Sequence, residues 1–434
     1  MRDNKEQIIL QNILVRKNRV EYVYSATEGL QQYFRLDETF AIEYPEDISI
    51  VPNAVLAIPF VCNVLPIIWL EDAELILPEL DEDFYNSIQE FKKGYINMYP
   101  DAEFKGKISV GEIVNCRREK KSGAAEFFSG GLDATTTLLR HLDEKPDLIS
   151  IWGSDIPYDN EEGWKPIQKA IDEVAAEYQV KHINIHSSFR QFDNERELGK
   201  VHTSKLHDGW WHGVKHGIGL LGHSAPYVWL HGLSVVYIAS SNCPADGVVT
   251  CASNPSIDNF VRFCGAEVVH DGFEMNRPEK AIYVVEYHKA LPDKKIALHV
   301  CWESTDGNNC CHCEKCYRTM AAIWIGGDDP RNYGMNYPSD VFEAMYKKIA
   351  LELSYLPIKR AWLRVQEGMK ANHNVLVTAP YYKKIKWIEN YNFNEPDNNR
   401  CRKWYKFKCA RGIRGKLATF KFYQKLHEMK ERVK

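Results

Sequence analysis

Glu126-Phe127-Phe128-Ser129-Gly130-Gly131-Leu132-Asp133-Ala134-Thr135-Thr136-Thr137 is the stretch that decides the fold of this 434-residue chain. Ala125–Phe128, with Phe127 and Phe128 apolar, reads as a strand, and a helix opens just past the glycines. Paired glycines let the backbone turn with positive φ and leave no Cβ in front of the amides. Several N–H groups then converge at the positive end of the following helix, a built-in site for phosphate or pyrophosphate. Ser129 adds a hydroxyl, and Asp133 is placed to cap the helix or to hold Mg²⁺ on the phosphates. An ordinary strand-turn-helix corner is the plainer reading of the same residues.

Strand-helix alternation continues from this loop. Leu148–Trp152 reads as a strand followed by a helix near Trp164–Tyr178. His182–Ile185 reads as a strand followed by a helix near Ser204–Leu221, and Val235–Ala239 is a fourth strand. Short apolar runs between helices predict a parallel sheet covered on both faces. Ligands in such sheets lie beyond the carboxyl ends of the strands. Ser129–Asp133, Trp152–Asp155 and Ser240–Asn242 therefore share one rim. Glu274, Arg277 and Lys280 come next, before an expected strand Ala281–Val285. Lys280 is a candidate for offsetting phosphate charge, or else a solvated lysine.

Further along, Cys301, Cys310, Cys313 and Cys316 form a Cys-x8-Cys-x2-Cys-x2-Cys array. The chain has 12 cysteines, and five fall between 301 and 316, counting Cys311. Four thiolates at this spacing complete a tetrahedral Zn²⁺ site, with no position left open for catalysis. The intervening residues are polar and turn-forming, so a structural ion would supply their folding energy. An iron–sulfur cluster and redox disulfides are the alternatives.

A Ser-Gly-Gly-x-Asp loop after a first strand, followed by this cysteine spacing and ending in Glu314-Lys315-Cys316-Tyr317-Arg318-Thr319, resembles 7-cyano-7-deazaguanine synthase. More broadly it resembles the PP-loop ATP pyrophosphatases, over about residues 120–325. The resemblance implies a Rossmann-like parallel sheet of the adenine nucleotide alpha-hydrolase (HUP) type, with helices on both faces. It implies an ATP-dependent ligase that adenylates a substrate carboxylate, releases pyrophosphate, and passes the acyl group to ammonia or an amine. On this reading Ser129, Gly130, Gly131, Leu132, Asp133 and Thr135 hold ATP and Mg²⁺, with Ser129 and Asp133 catalytic. Trp152 and Gly153 lie where family members touch adenine. Asn254 and Asp258, together with Lys280, face the substrate, although a capping role for Asp258 is an equal reading. Ala134 departs from the family, which usually has Ser or Thr there; Thr135 is the neighbouring hydroxyl.

Size is the second departure. The expected organisation is an α+β domain over 1–117, the synthase-like domain with its zinc site over 118–325, and a helical region with a basic tail over 326–434. Within the first part, one helix is expected from Asp81 to about Tyr99, and the apolar stretch Val51 to Leu70 reads as buried strands. Its prolines and asparagines argue against a membrane span. Formal charge is −4, but residues 400–434 hold 13 Lys and Arg against 2 Glu, a local +11 that leaves −15 on the other 399 residues. That tail, with Trp404, Tyr405, Phe407, Phe420, Phe422 and Tyr423, fits a nucleic-acid or protein partner, or a helix docked on the chain's own acidic body. Clustered cysteines and a polar start fit a reducing cytoplasm.

Two rival functions use the same loop, a tRNA-modifying sulfur or amide transferase and a non-catalytic nucleotide-binding module. An amidotransferase with an N-terminal nucleophilic Cys is disfavoured, because residue 2 is Arg. His212 and His216 share a helix face at metal-ligand spacing, but no acidic partner in the sequence pattern completes a zincin motif.

Overall fold

The computed structural model describes residues 5–119, 122–304, 308–352 and 356–393. The basic tail at 400–434 lies outside the described residues. The strands are β1 (Gln7–Arg16), β2 (Arg19–Ala26), β3 (Ala41–Glu43), β4 (Glu74–Asp81), β5 (Lys107–Val114) and β6 (Ala124–Phe127). They continue with β7 (Asp147–Trp152), β8 (His182–Ser187), β9 (Val235–Ala239), β10 (Arg262–Phe263) and β11 (Ala266–Asp271). All lie in one 11-stranded sheet, in the order β10-β11-β9-β6-β7-β8-β3-β2-β1-β4-β5. The segment 1–117 thus contributes five strands to the same sheet as the central segment, joined where β3 pairs antiparallel with β8.

The central strands β11, β9, β6, β7 and β8 run parallel to one another. Their side chains alternate between faces, as pleating requires. Ile149 and Ile151 enter a core shared with the N-terminal helices, whereas Leu148 joins a second core with the C-terminal helices. The chain moves from β6 outward through β7 and β8, then returns to place β9 on the other side of β6. That reversal makes the ends of β6 and β9 the switch point of a doubly wound sheet, the place where ligands bind in sheets of this kind. The α/β architecture agrees with the sequence expectation and is compatible with a Rossmann-like fold.

Several expected elements change type. Val51 to Leu70 forms helices, Asn53–Leu56 and Ile58–Leu70, rather than buried strands. An apolar run buried on every side has no period to tell helix from strand. Pro59 sits in the first helical turn, where its missing N–H costs nothing. Among the described residues no helix is long and apolar enough to cross a membrane. Ala281–Val285 is not a strand but the interior of the helix Arg277–Ala290. A capping box starts it: Asn276 Oδ1 accepts from the Glu279 amide at 3.1 Å, and Glu279 Oε2 accepts from the Asn276 amide at 2.7 Å. The expected helix near Ser204–Leu221 breaks into Glu195–Leu206, a π-turn at Trp211–Lys215, and His216–Leu221.

Candidate nucleotide site and thiolate cluster

The loop Ser129–Gly131 leaves the end of β6 and feeds the helix Leu132–Arg140. Gly130 has φ +74°, a conformation that disfavours any side chain. Its carbonyl accepts the His299 amide at 2.7 Å, which pins the loop to the segment running into Cys301. Gly131 is the N-cap, so Asp133 stands in the first turn and does not cap the helix. First-turn amides have no intrahelical acceptor and point outward at the switch point. Ala134 and Thr135 are buried. Thr135 Oγ1 has no hydrogen-bond partner in the interior.

Asp133 is the meeting point of cations from two distant helices. Arg277 Nη2 lies 2.7 Å from its carboxylate and Lys280 Nζ lies 3.4 Å from it. Lys280 is only 2% exposed, which removes the solvated-lysine reading, and it also donates to the Ser240 carbonyl at the end of β9. Burial alone would raise the Asp133 pKa, but Arg277, Lys280 and Lys315 outweigh it and hold the carboxyl down at about 2. Lys315 and Arg318, on the helix Glu314–Ile325, complete the group. Burial, with Arg277 and Arg318 nearby, lowers Lys315. Arg318 also pairs with Glu314 at 3.5 Å, and Asp155 and Asp246 act on Lys315 and Arg318, so the group is a mixed charge network in which the cations Arg277, Lys280 and Lys315 surround Asp133. Sequence reasoning found Lys280 but gave Arg277, Lys315 and Arg318 no role; only folding brings their two helices to one loop.

The other expected positions fare unevenly. Trp152, at the end of β7, stacks on His186 with ring centres 3.8 Å apart, and its indole donates to the Pro157 carbonyl at 2.9 Å. Gly153 has φ +111°, and a Cβ there would fall 1.8 Å from the Ser187 carbonyl oxygen. Its amide already donates to Ile156 at 3.0 Å. Asn254 and Asp258 are occupied by structural bonds. Asn254 caps the helix Pro255–Asp258, accepting from the Ser256 amide at 3.0 Å. Asp258 is fully buried and accepts from Ser253 Oγ and from His270, each at 2.8 Å. Asn254 rather than Asp258 is the cap, and Asp258 Oδ1, unlike Oδ2, has no hydrogen-bond partner.

Glu126 was read only as part of a strand. It is fully buried in β6, one residue before the end of that strand, and both carboxylate oxygens lack partners. Burial first, and Asp271 second, push its pKa well up.

Sulfurs of Cys301, Cys310, Cys313 and Cys316 lie within 4.8 Å of one another and could hold a metal ion. Cys301 and Cys313 are 3.9 Å apart, as are Cys310 and Cys316. A tetrahedron with ~2.3 Å Zn–S bonds has edges of ~3.8 Å, close to these two distances, so the donor set suits a metal such as zinc. Backbone amides also support charge on the sulfurs: Ser304 donates to Cys301 at 3.2 Å, Cys313 to Cys310 at 3.2 Å, and Cys316 to Cys313 at 3.3 Å. Cys313 is at once a member of this cluster and the N-cap of the helix Glu314–Ile325. The thiolates therefore anchor the helix that presents Lys315 and Arg318. From the C-terminal region, Trp362 Nε1 donates to Glu314 at 3.0 Å and clamps the same turn.

Fold and site together define an α/β protein with a glycine turn at a sheet switch point, a cationic rim, and a four-cysteine cluster able to bind metal. No family model, curated protein or solved structure matches the chain.

Proposed function

We propose that the protein is an ATP-dependent ligase of the PP-loop kind, similar to 7-cyano-7-deazaguanine synthase and sharing its HUP-type sheet. The observation that supports this most is the convergence of Arg277, Lys280, Lys315 and Arg318 on a glycine loop at the β6/β9 switch point. A substrate carboxylate oxygen attacks the α-phosphorus of ATP, and the bond to the β-phosphate oxygen breaks. Pyrophosphate leaves against the amides following Ser129-Gly130-Gly131, with Lys280 and Arg277 taking up its charge. Asp133 is the residue that would hold Mg²⁺, which offsets charge on the phosphates when bound. Ammonia or an amine then attacks the acyl carbon and AMP leaves, giving an amide. The chain's work in both steps is orientation and charge stabilisation, and no side-chain nucleophile is required.

Zn²⁺ at Cys301, Cys310, Cys313 and Cys316 is structural on this reading, because all four positions are protein sulfur. Its contribution is to hold the start of the helix bearing Lys315 and Arg318.

The test is incubation of the full chain with α-labelled ATP, Mg²⁺ and a panel of carboxylic acids. Acid-dependent AMP release supports the reading. Release of ADP overturns it, and bound but intact ATP replaces it with a nucleotide-binding module.

A further inference from the structure

A second cluster of reactive groups lies away from the glycine loop. Cys251, between the turn Pro244–Asp246 and the helix Pro255–Asp258, is 5% exposed. Its chain neighbours place it beside His212, since Thr250 bonds Asp208 and Ala252 bonds the His212 backbone, and His212 and His216 are the groups that act on its thiol. His212 Nδ1 lies 2.8 Å from Asp208 Oδ2, which leaves its other ring nitrogen for the sulfur. Asp208 is itself fixed, accepting from Thr250 Oγ1 at 2.9 Å and from the Gly209 amide at 2.6 Å. The Ala252 amide donates to the His212 carbonyl at 2.8 Å, tying the two backbone segments together.

This arrangement depends on irregular backbone held in place by a distant part of the chain. His212 belongs to the π-turn Trp211–Lys215, and such turns gather at functional sites because they re-aim the side chains within them. Its carbonyls are satisfied from the helix Glu82–Met98 and its C-cap: Tyr99 donates to Gly213 at 2.6 Å and Tyr95 to Val214 at 3.0 Å. A Cβ on Gly213 would come within 3.0 Å of the Tyr99 hydroxyl, so the turn and the tyrosine fit closely. Lys215 closes the turn, fully buried and 2.6 Å from Asp193.

We propose that Cys251, His212 and Asp208 form a nucleophilic acyl-transfer centre that acts on an amide or ester carbonyl. The Cys251 sulfur attacks the carbonyl carbon, and the displaced electron pair moves to oxygen. Collapse of that adduct breaks the bond to the leaving nitrogen or oxygen, which takes the proton from His212. A thioester remains on Cys251. Water then adds with His212 accepting its proton, the acid departs, and the thiolate–imidazolium pair is restored. Asp208 positions the imidazole and balances its charge, and His216 supplies a second donor to the sulfur.

Electrostatics agree with the geometry. Burial alone would raise the Cys251 thiol, but the neighbouring His212 and His216 outweigh it and bring it down to about 6. Asp208 is the largest influence lifting His212 to about 10. The His212 side chain is 54% exposed, so the pair is reached from its side. The Cys251 amide donates to Met98 Sδ at 3.3 Å, a weak acceptor that a developing oxyanion would displace.

The full chain is mixed with p-nitrophenyl acetate without ATP, so the result does not depend on the nucleotide reading. A saturating burst of p-nitrophenolate, with the acetyl group found by mass spectrometry on the Cys251 peptide, is expected. Cys251→Ala abolishes the burst, and His212→Gln slows it at least tenfold. Asp208→Asn lowers the saturated acylation rate with little change in the half-saturating ester concentration, a split that loss of folding would not give. Circular dichroism melts establish that each variant is folded, with Cys251→Ser replacing the alanine variant if that one is not. An undiminished burst in the folded Cys251 variant, or acetylation confined to other residues, overturns the proposal.

Discussion

Asp133 and Arg277 are joined by a 2.7 Å ion pair although 144 residues separate them in the chain. The pair ties the first turn after the glycine loop to the capped start of the helix Arg277–Ala290. One turn later on that helix, Lys280 reaches both Asp133 and the Ser240 carbonyl. Two strand ends, β6 and β9, are thereby cross-linked by cations at the place where the sheet changes winding direction.

Replacement of these cations should remove adenylation without unfolding the chain. Lys280→Met is expected to lower acid-dependent ATP–pyrophosphate exchange by about 10²-fold or more, the scale typical of losing one preorganised charge. Exchange within a factor of ~2 of wild type would leave Lys280 with a packing role only.

Removing the metal should weaken nucleotide binding as well as stability. Cys313 caps the helix bearing Lys315 and Arg318, so Cys316→Ser or chelation frees both cations. Expected outcomes are loss of bound zinc by elemental analysis, a melting temperature lower by about 5 °C or more, and reduced ATP affinity by calorimetry. Iron rather than zinc in protein purified without an affinity tag would replace the assignment.

The unpartnered Glu126 gives a prediction with a definite sign. Its folded-state pKa is pushed up by burial, so ionisation opposes folding. The associated stability is full below the unfolded value of ~4.3 and declines as pH rises toward the folded value. Glu126→Gln should therefore be more stable than wild type by about 1–3 kcal/mol at pH 8, with the gap closing near pH 4. Urea unfolding at the two pH values reads this directly; a gap independent of pH sinks the explanation.

Lys215 and Asp193 are both fully buried, 2.6 Å apart. Lys215→Met leaves an uncompensated carboxylate in the interior and is expected to cost about 3–5 kcal/mol in urea unfolding. Adding Asp193→Asn to that variant should recover part of the loss, since no isolated charge then remains.

Gly153→Ala tests the backbone at the end of β7. With φ +111° and the Ser187 oxygen 1.8 Å from the added carbon, β8 must shift. The expected cost is about 1–3 kcal/mol, seen as a lower urea midpoint.

Periodicity and turn residues were enough to place β6 to β9 and the helices between β6 and β8, because parallel strands covered on both faces are short apolar runs bounded by turns. The capping box at Asn276-Arg277-Pro278-Glu279 was missed, and the apolar residues after it read as a strand. The hairpin β1–β2 has half-exposed strands and offers little hydrophobic contrast. Nothing local indicated that it extends the central sheet.

By itself the sequence determined the groups whose chemistry depends on near neighbours. Adjacent glycines set the turn after Phe128, and cysteines two residues apart can share one ion. Tertiary structure alone decided which cations surround Asp133, that Asp258 is engaged by His270, and that Cys251 meets His212 beside Asp208. The physical reason is that charge and hydrogen bonding act over a few ångströms in space, while Asp258 and His270 lie 12 residues apart along the chain and Asp133 and Lys280 lie 147 apart.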